Sequence, residues 1–313
     1  MKLIKFISLL MLVGMGVYPE EDVKEFTITP ALNYEYFSFG DQKIHSPGEG
    51  LIFSRGNMEP DFTEDRNNLL LTGKFKQYFL QENEYSNLYH SVAITFDKTI
   101  KRHSFHGRLY GDSDKPFYGG LSTFAGGFGY GYQFIYTKNI SLMLGLGLGV
   151  GNLGIEIDDE LLPVLPIPIF QLKVANSFID LNLQFFAKPE LFIILFPENK
   201  IRLNGYFSIN KFTEFRDLKY DISLMYHLFS EESKFGNFAK IGIGTTNGGF
   251  GFNLAEKGQS YNFLYNSVHG IIDLSFLQIR AGYVFNGLES YDSNIKKDIG
   301  DGFFINATLV WQF

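Results

Sequence analysis

The chain has 313 residues, of which 45% are hydrophobic and 17% aromatic, with no cysteine and a formal net charge of −7. That acidity gives no electrostatic footing for nucleic-acid binding, and without cysteine neither disulfides nor a lipidated N-terminal cysteine can hold an exported chain in place. No apolar run of about 20 residues follows the N-terminal segment, which excludes a helical membrane protein.

Lys2 and Lys5 precede the apolar run Phe6 to Val17, with Gly14 and Gly16 leading into Tyr18-Pro19-Glu20-Glu21. This is the layout of a secretory signal peptide, too short to span a bilayer as a helix, and cleavage is expected after Gly16 or Val17. Residues 1–17 are therefore read as the signal and 18–313 as a single exported domain.

Beyond that point apolar residues recur with period two, the signature of half-buried strands. Glu25 to Phe39 carries Phe26, Ile28, Leu32, Tyr34 and Tyr36 on its apolar side, and Thr27, Thr29, Ala31, Asn33 and Glu35 on the other. Residues 40–67, with Ser46-Pro47-Gly48-Glu49-Gly50 and Glu59-Pro60-Asp61, read as a long surface loop. Strands are expected near 68–79 and 88–100, a second long loop over 101–125, and then strands near 126–137, 140–151, 164–174, 178–186, 190–196, 200–210, 218–229, 238–246, 261–274, 277–287 and 301–313. The pair 178–186 and 190–196 is short enough to be a loop excursion, so the count is 12 to 14. The gaps 40–67, 101–125, 152–163, 247–260 and 288–300 are long, while Lys138-Asn139, Pro197-Glu198-Asn199 and Ser275-Phe276 are short. That alternation fits short turns on one side of a membrane and longer loops on the other. Ala187-Lys188-Pro189 breaks it.

The last segment sorts most cleanly. Phe303, Ile305, Ala307, Leu309, Trp311 and Phe313 form one face, and Phe304, Asn306, Thr308, Val310 and Gln312 the other. It resembles the closing strand of Gram-negative outer-membrane β-barrel proteins. The resemblance implies that Ala307, Leu309, Trp311 and Phe313 form the signal read by a barrel assembly machinery. The implied fold is all-β: one antiparallel transmembrane β-barrel of 12–14 strands, with short periplasmic turns and longer extracellular loops, in the bacterial outer membrane. Its expected partners are lipid, lipopolysaccharide and the assembly machinery.

The alternation turns Lys74, Lys76, Asp97, Lys173, Asp180, Arg202, Asp221, His227 and Arg280 inward. Such a mixed-charge set can line an aqueous pathway, or it can be a network of ion pairs that spares each member the cost of an unpaired buried charge. Gly145, Gly147, Gly149 and Gly151 share one face and read as room for packing or curvature rather than a phosphate loop, since no helix follows. Catalysis finds little footing. His90 and Ser91 are adjacent and face opposite ways, Asp112 and Asp114 read as loop residues, and His269 stands alone. His103 and His106 lack a third ligand, so neither a metal nor a cofactor is expected. The leading expectation is a porin-like channel for small polar solutes, not an enzyme. The alternatives are a closed structural or surface barrel using the loops 40–67 and 101–125, and an integral membrane enzyme.

Overall fold

A computed structural model describes residues 26–40, 42–55, 67–81, 86–118, 123–151, 156–157, 160–161, 164–186, 188–209, 218–229, 238–254, 260–291 and 295–311. The strands are β1 (Phe26–Phe39), β2 (Gln42–Arg55), β3 (Asn67–Leu80), β4 (Leu88–Ile100), β5 (His103–Ser113), β6 (Ala125–Tyr136) and β7 (Ile140–Gly151). After a two-residue pair, β8 (Glu156–Ile157) and β9 (Glu160–Leu161), come β10 (Val164–Ala175), β11 (Ile179–Phe186), β12 (Lys188–Leu195), β13 (Ile201–Ile209) and β14 (Leu218–His227). The series ends with β15 (Ala239–Asn253), β16 (Ser260–Leu274), β17 (Leu277–Tyr291) and β18 (Ile295–Val310). β8 and β9 pair only with each other; the remaining strands form one closed barrel in chain order, β7 pairing with β10 and β18 returning to β1.

Sixteen strands close this barrel, so the expected 12–14 is corrected upward. The two additional strands lie inside the segments read as long loops. Residues 42–55 form β2, paired along its whole length with β1, and residues 103–113 form β5, paired with β4 and β6. Tight turns replace the supposed loop starts: Gly40 takes a left-handed conformation (φ 48°) after β1, and Lys101 does so (φ 56°) between β4 and β5. β11 and β12 are full members of the wall, not an excursion. The expected loops 247–260 and 288–300 are also largely strand, because β15, β17 and β18 run on to Asn253, Tyr291 and back to Ile295. The simple alternation of short and long connections therefore fails. The far rim, opposite the start of β1 and the end of β18, carries the tight turn after Phe39 as well as longer connections.

The seam is closed by nine register pairs from Ala31↔Val310 to Phe39↔Gly302. The Trp311 amide continues it by donating to the Pro30 carbonyl at 3.1 Å. Closure removes every free sheet edge, the condition for strands to lie in hydrocarbon. The outer surface meets that condition too: Leu146 is 64% and Ile243 65% exposed, with Leu148, Val268, Phe128, Phe303 and Ile305 also open on the outward face. A contiguous apolar belt of this kind on a closed barrel is a lipid-facing surface.

The barrel is not round. Strand spacing and tilt would keep opposite walls of a circular barrel of this size about 30 Å apart. β5 and β15 stand at opposite positions in the strand order, yet Asn253 and Ser113 pair in parallel at the far rim. The Ser113 hydroxyl donates to the Asn253 carbonyl at 2.5 Å. The far rim is thus pinched into two lobes, one walled by β15 to β18 and β1 to β5, the other by β5 to β7 and β10 to β15.

Candidate transport lumen

The first lobe is filled at the far rim. Phe37, Phe39, Ile44, Tyr78, Leu80, Tyr89, Phe252, Leu254, Tyr261, Phe263, Val284 and Phe304 form one buried cluster, with Tyr89, Tyr261 and Phe263 wholly enclosed. These residues are inward-facing on strands that meet only around the lumen, which is why no linear stretch announces a core. Ring geometry is specific: Tyr89 stacks on Phe252 with centroids 4.6 Å apart, and Phe39 meets Phe263 edge-on at 5.0 Å. Such pairs add about 0.5–1.5 kcal/mol each beyond area burial. Glu289 sits in this cluster, accepting from the Tyr261 hydroxyl at 2.9 Å and from the Gln42 amide.

Below the cluster, towards the near rim, the lumen turns polar. Lys76 on β3 reaches past β2 to Glu35 on β1 at 2.5 Å, and the Asn306 amide donates to the other Glu35 oxygen at 2.6 Å. Asn33 donates to Thr308 at 2.8 Å. Arg280 on β17 spans β16 and β15 to reach Asp221 on β14 at 2.5 Å. Glu35, Phe37, Asp221, Thr246, Tyr265, His269, Arg280, Phe304 and Asn306 enclose a cavity of about 160 Å³ between these pairs.

The second lobe has a different lining. Gly129 and Gly145 lie where β6, β7 and β10 curl tightly, and Ile169 and Phe186 close over Gly129 in the space its missing side chain leaves. The Arg108 guanidinium stands 5.4 Å over the Phe186 ring, and His106 contacts Asp97 at 2.6 Å. Further round, Glu190 accepts from Gln184 at 2.7 Å and from the Tyr206 hydroxyl at 3.1 Å. Phe192, inward by its register with Asn182 and Tyr206, is 41% exposed. A large aromatic ring left open on an inward face marks solvent-filled space beside it.

The register carries Lys74, Lys76, Asp97, Lys173, Asp180, Arg202, Asp221, His227 and Arg280 onto the inward face. They do not form one site. Asp221 and Arg280 line the cavity and Lys76 is tied to Glu35 on its wall, whereas Asp97 on β4 pairs with His106 on β5, away from it. Lys173, Asp180, Arg202 and His227 lie at the near rim, where Lys240 and Asp273 join them 4.0 Å apart. The expected inward set omits Glu35, Arg108 and Glu190, although Glu35 falls on the polar side of its strand. Arg108 was hidden because its strand read as a loop. Asp112 likewise belongs to β5, not to an outer loop. His269 is buried against Phe304 with Ser267 beside it at 3.3 Å, and among the described residues no group of three or more metal-ligating side chains occurs.

No protein-family model matches this chain, and no curated protein matches it. Among solved structures it is similar to the outer membrane protein OpdK of Pseudomonas aeruginosa, with TM-score 0.39 and 8% identity over 92% of this chain and 99% of that one. It is similar to OprD of the same organism, with TM-score 0.39 and 9% identity over 92% and 94%. OccAB4 of Acinetobacter baumannii gives TM-score 0.38 and 7% identity over 94% and 100%. Likeness at this level carries no residue and no substrate across, so the functional reading rests on the lumen itself.

Proposed function

We propose that this chain is an outer-membrane channel that passes small polar solutes through the second lobe of its lumen. The observation that carries the reading is the contrast between the lobes: aromatic side chains seal one at the far rim, while on β11 and β12 inward side chains such as Asp180 and Phe192 stay exposed. The lining of that lobe mixes Arg108, Gln184, Glu190 and Tyr206, which can exchange hydrogen bonds with hydrated solutes of either charge. The lipid-facing belt supports a membrane location, and lipid and lipopolysaccharide are its proposed surroundings. The terminal run is proposed as the assembly signal: Ala307 and Leu309 register with Tyr34 and Leu32 on the outward face, Trp311 follows them, and Phe313 lies outside the described residues. The proposed signal peptide, residues 1–17, also lies outside them.

The reading predicts discrete conductance steps when the purified chain is added to a planar lipid bilayer. A chain that is heat-modifiable on SDS gels, hence folded as a barrel, but adds no steps would instead be the closed structural barrel. The sealed first lobe favours that second reading, but two of its supports are gone, because 42–55 and 103–113 are wall strands rather than ligand-contacting loops.

A further inference from the structure

An ionic contact in the lumen joins strands with two others between them. Arg280 and Asp221 meet over β15 and β16, and their side chains also form part of the wall of the 160 Å³ cavity. Neither is needed to close the barrel, since β14 and β17 already have full backbone partners on both sides. The contact therefore does not build the wall. It draws together two stretches of wall that flank β15 and β16.

The groups around it are incompletely satisfied. Arg280 gives one terminal nitrogen to Asp221, while its buried Nε has no hydrogen-bond partner, and neither does Nε2 of the adjacent buried His269. An unsatisfied buried polar atom costs about 1–3 kcal/mol, and a partly desolvated ion pair recovers little beyond its own desolvation. With side chains 30% and 27% exposed, the pair is only partly desolvated, so little net free energy holds it closed.

We propose that the Asp221–Arg280 pair is a releasable tie that sets the size limit of the lumen, holding the polar cavity apart from the pathway in the second lobe. This rests on the channel reading above. When the tie is made, Asp221 is held towards β17 and the cavity is a side chamber. When it is released, the chamber and the pathway become one wider space at that level. The ion pair then determines specificity by size, while the lining of the second lobe contacts the solute.

The test is single-channel conductance in planar bilayers together with exclusion of neutral polymers of graded size. Arg280→Gln and Asp221→Ala should each raise conductance about 1.5-fold or more, as expected when a lumen widens at its narrow level, and should admit a larger polymer. The charge-exchanged double variant Asp221→Arg/Arg280→Asp should return both readings towards those of the parent. Because the chain has no native cysteine, Asp221→Cys/Arg280→Cys bridged through disulfides by a short bis-methanethiosulfonate reagent provides a second route. Conductance should fall on bridging and recover on reduction. Heat-modifiable, folded variants that all conduct and exclude polymers as the parent does would overturn the tie while leaving the channel intact. A parent that never conducts would overturn the channel reading itself.

Discussion

Gly145 has no side chain where the backbone of β6 lies close against β7. A Cβ there would press on the Tyr130 carbonyl and the Gly131 backbone across the β6–β7 ladder. Backbone cannot retreat as a flexible side chain can, so Gly145→Ala should cost about 1–3 kcal/mol, the usual penalty of overpacking. Gly73 provides the control, since a Cβ there meets nothing within 4 Å, and Gly73→Ala should lie within about 0.5 kcal/mol of the parent. Urea-dependent unfolding from lipid vesicles measures both. The neighbouring Leu146 tests the other side of the same strand. Being 64% exposed on the belt, it should tolerate Phe but lose about 2–4 kcal/mol as Leu146→Arg, the cost of a cation near the bilayer midplane. The alternation of Gly145 and Leu146 was legible in the sequence, and so was the outward face of Phe303 to Trp311. What the sequence did not disclose was which residues fill the glycine face, because Ile169 and Phe186 come from strands one and two positions beyond.

At the scale of elements, β2 and β5 explain why the strand count came out low. β2 carries Gln42, Ser46, Gly48 and Gly50 inward, while His45, Pro47 and Glu49 take outward positions, so neither face is an apolar stripe. β5 presents Ser104, His106, Arg108 and Asp112 inward against His103, Phe105, Gly107 and Leu109. Period-two reading depends on one face being apolar, and near a rim or against a polar lumen that contrast fades. Strands with strong contrast, such as β7, β14 and β17, were found within a few residues of their ends. Hydrogen–deuterium exchange of the folded barrel separates the two readings: amides of 42–55 and 103–113 should be protected as strongly as those of β16. Exchange within seconds over either segment would mean that it is a loop after all.

For the whole molecule, on the proposed channel reading, the pinch between Ser113 and Asn253 decides where solute can go. Sixteen strands would ordinarily leave a wide central channel, whereas about eight leave an interior that side chains just fill. Dividing the far rim into two arcs brings each close to the smaller case, and the aromatic cluster fills one of them. The ion pairs of the lumen could not have been read from the sequence, since Lys76 with Glu35 and Arg280 with Asp221 depend on which strands stand near one another in the wall rather than on spacing along a strand. Thiol mapping tests the resulting off-centre path. A water-soluble thiol reagent should modify Phe192→Cys and reduce its conductance by about half or more, whereas Ser267→Cys, buried in the first lobe, should be unreactive until the barrel is unfolded. Equal labelling of the two positions would place the path elsewhere.

The seam between β1 and β18 has a consequence for chain order. The described ends of the molecule lie side by side at one rim, joined by the Trp311-to-Pro30 hydrogen bond. A short polar linker between them would complete a circular chain, which could then be reopened at the tight turn Ser275-Phe276 between β16 and β17. In that circular permutant the same wall would form with β17 leading and β16 arriving last, while the terminal aromatic run became internal. Its refolding into bare lipid vesicles would show whether the closed wall needs its present order of synthesis. Its insertion in cells would separately show whether a free aromatic end is required for delivery.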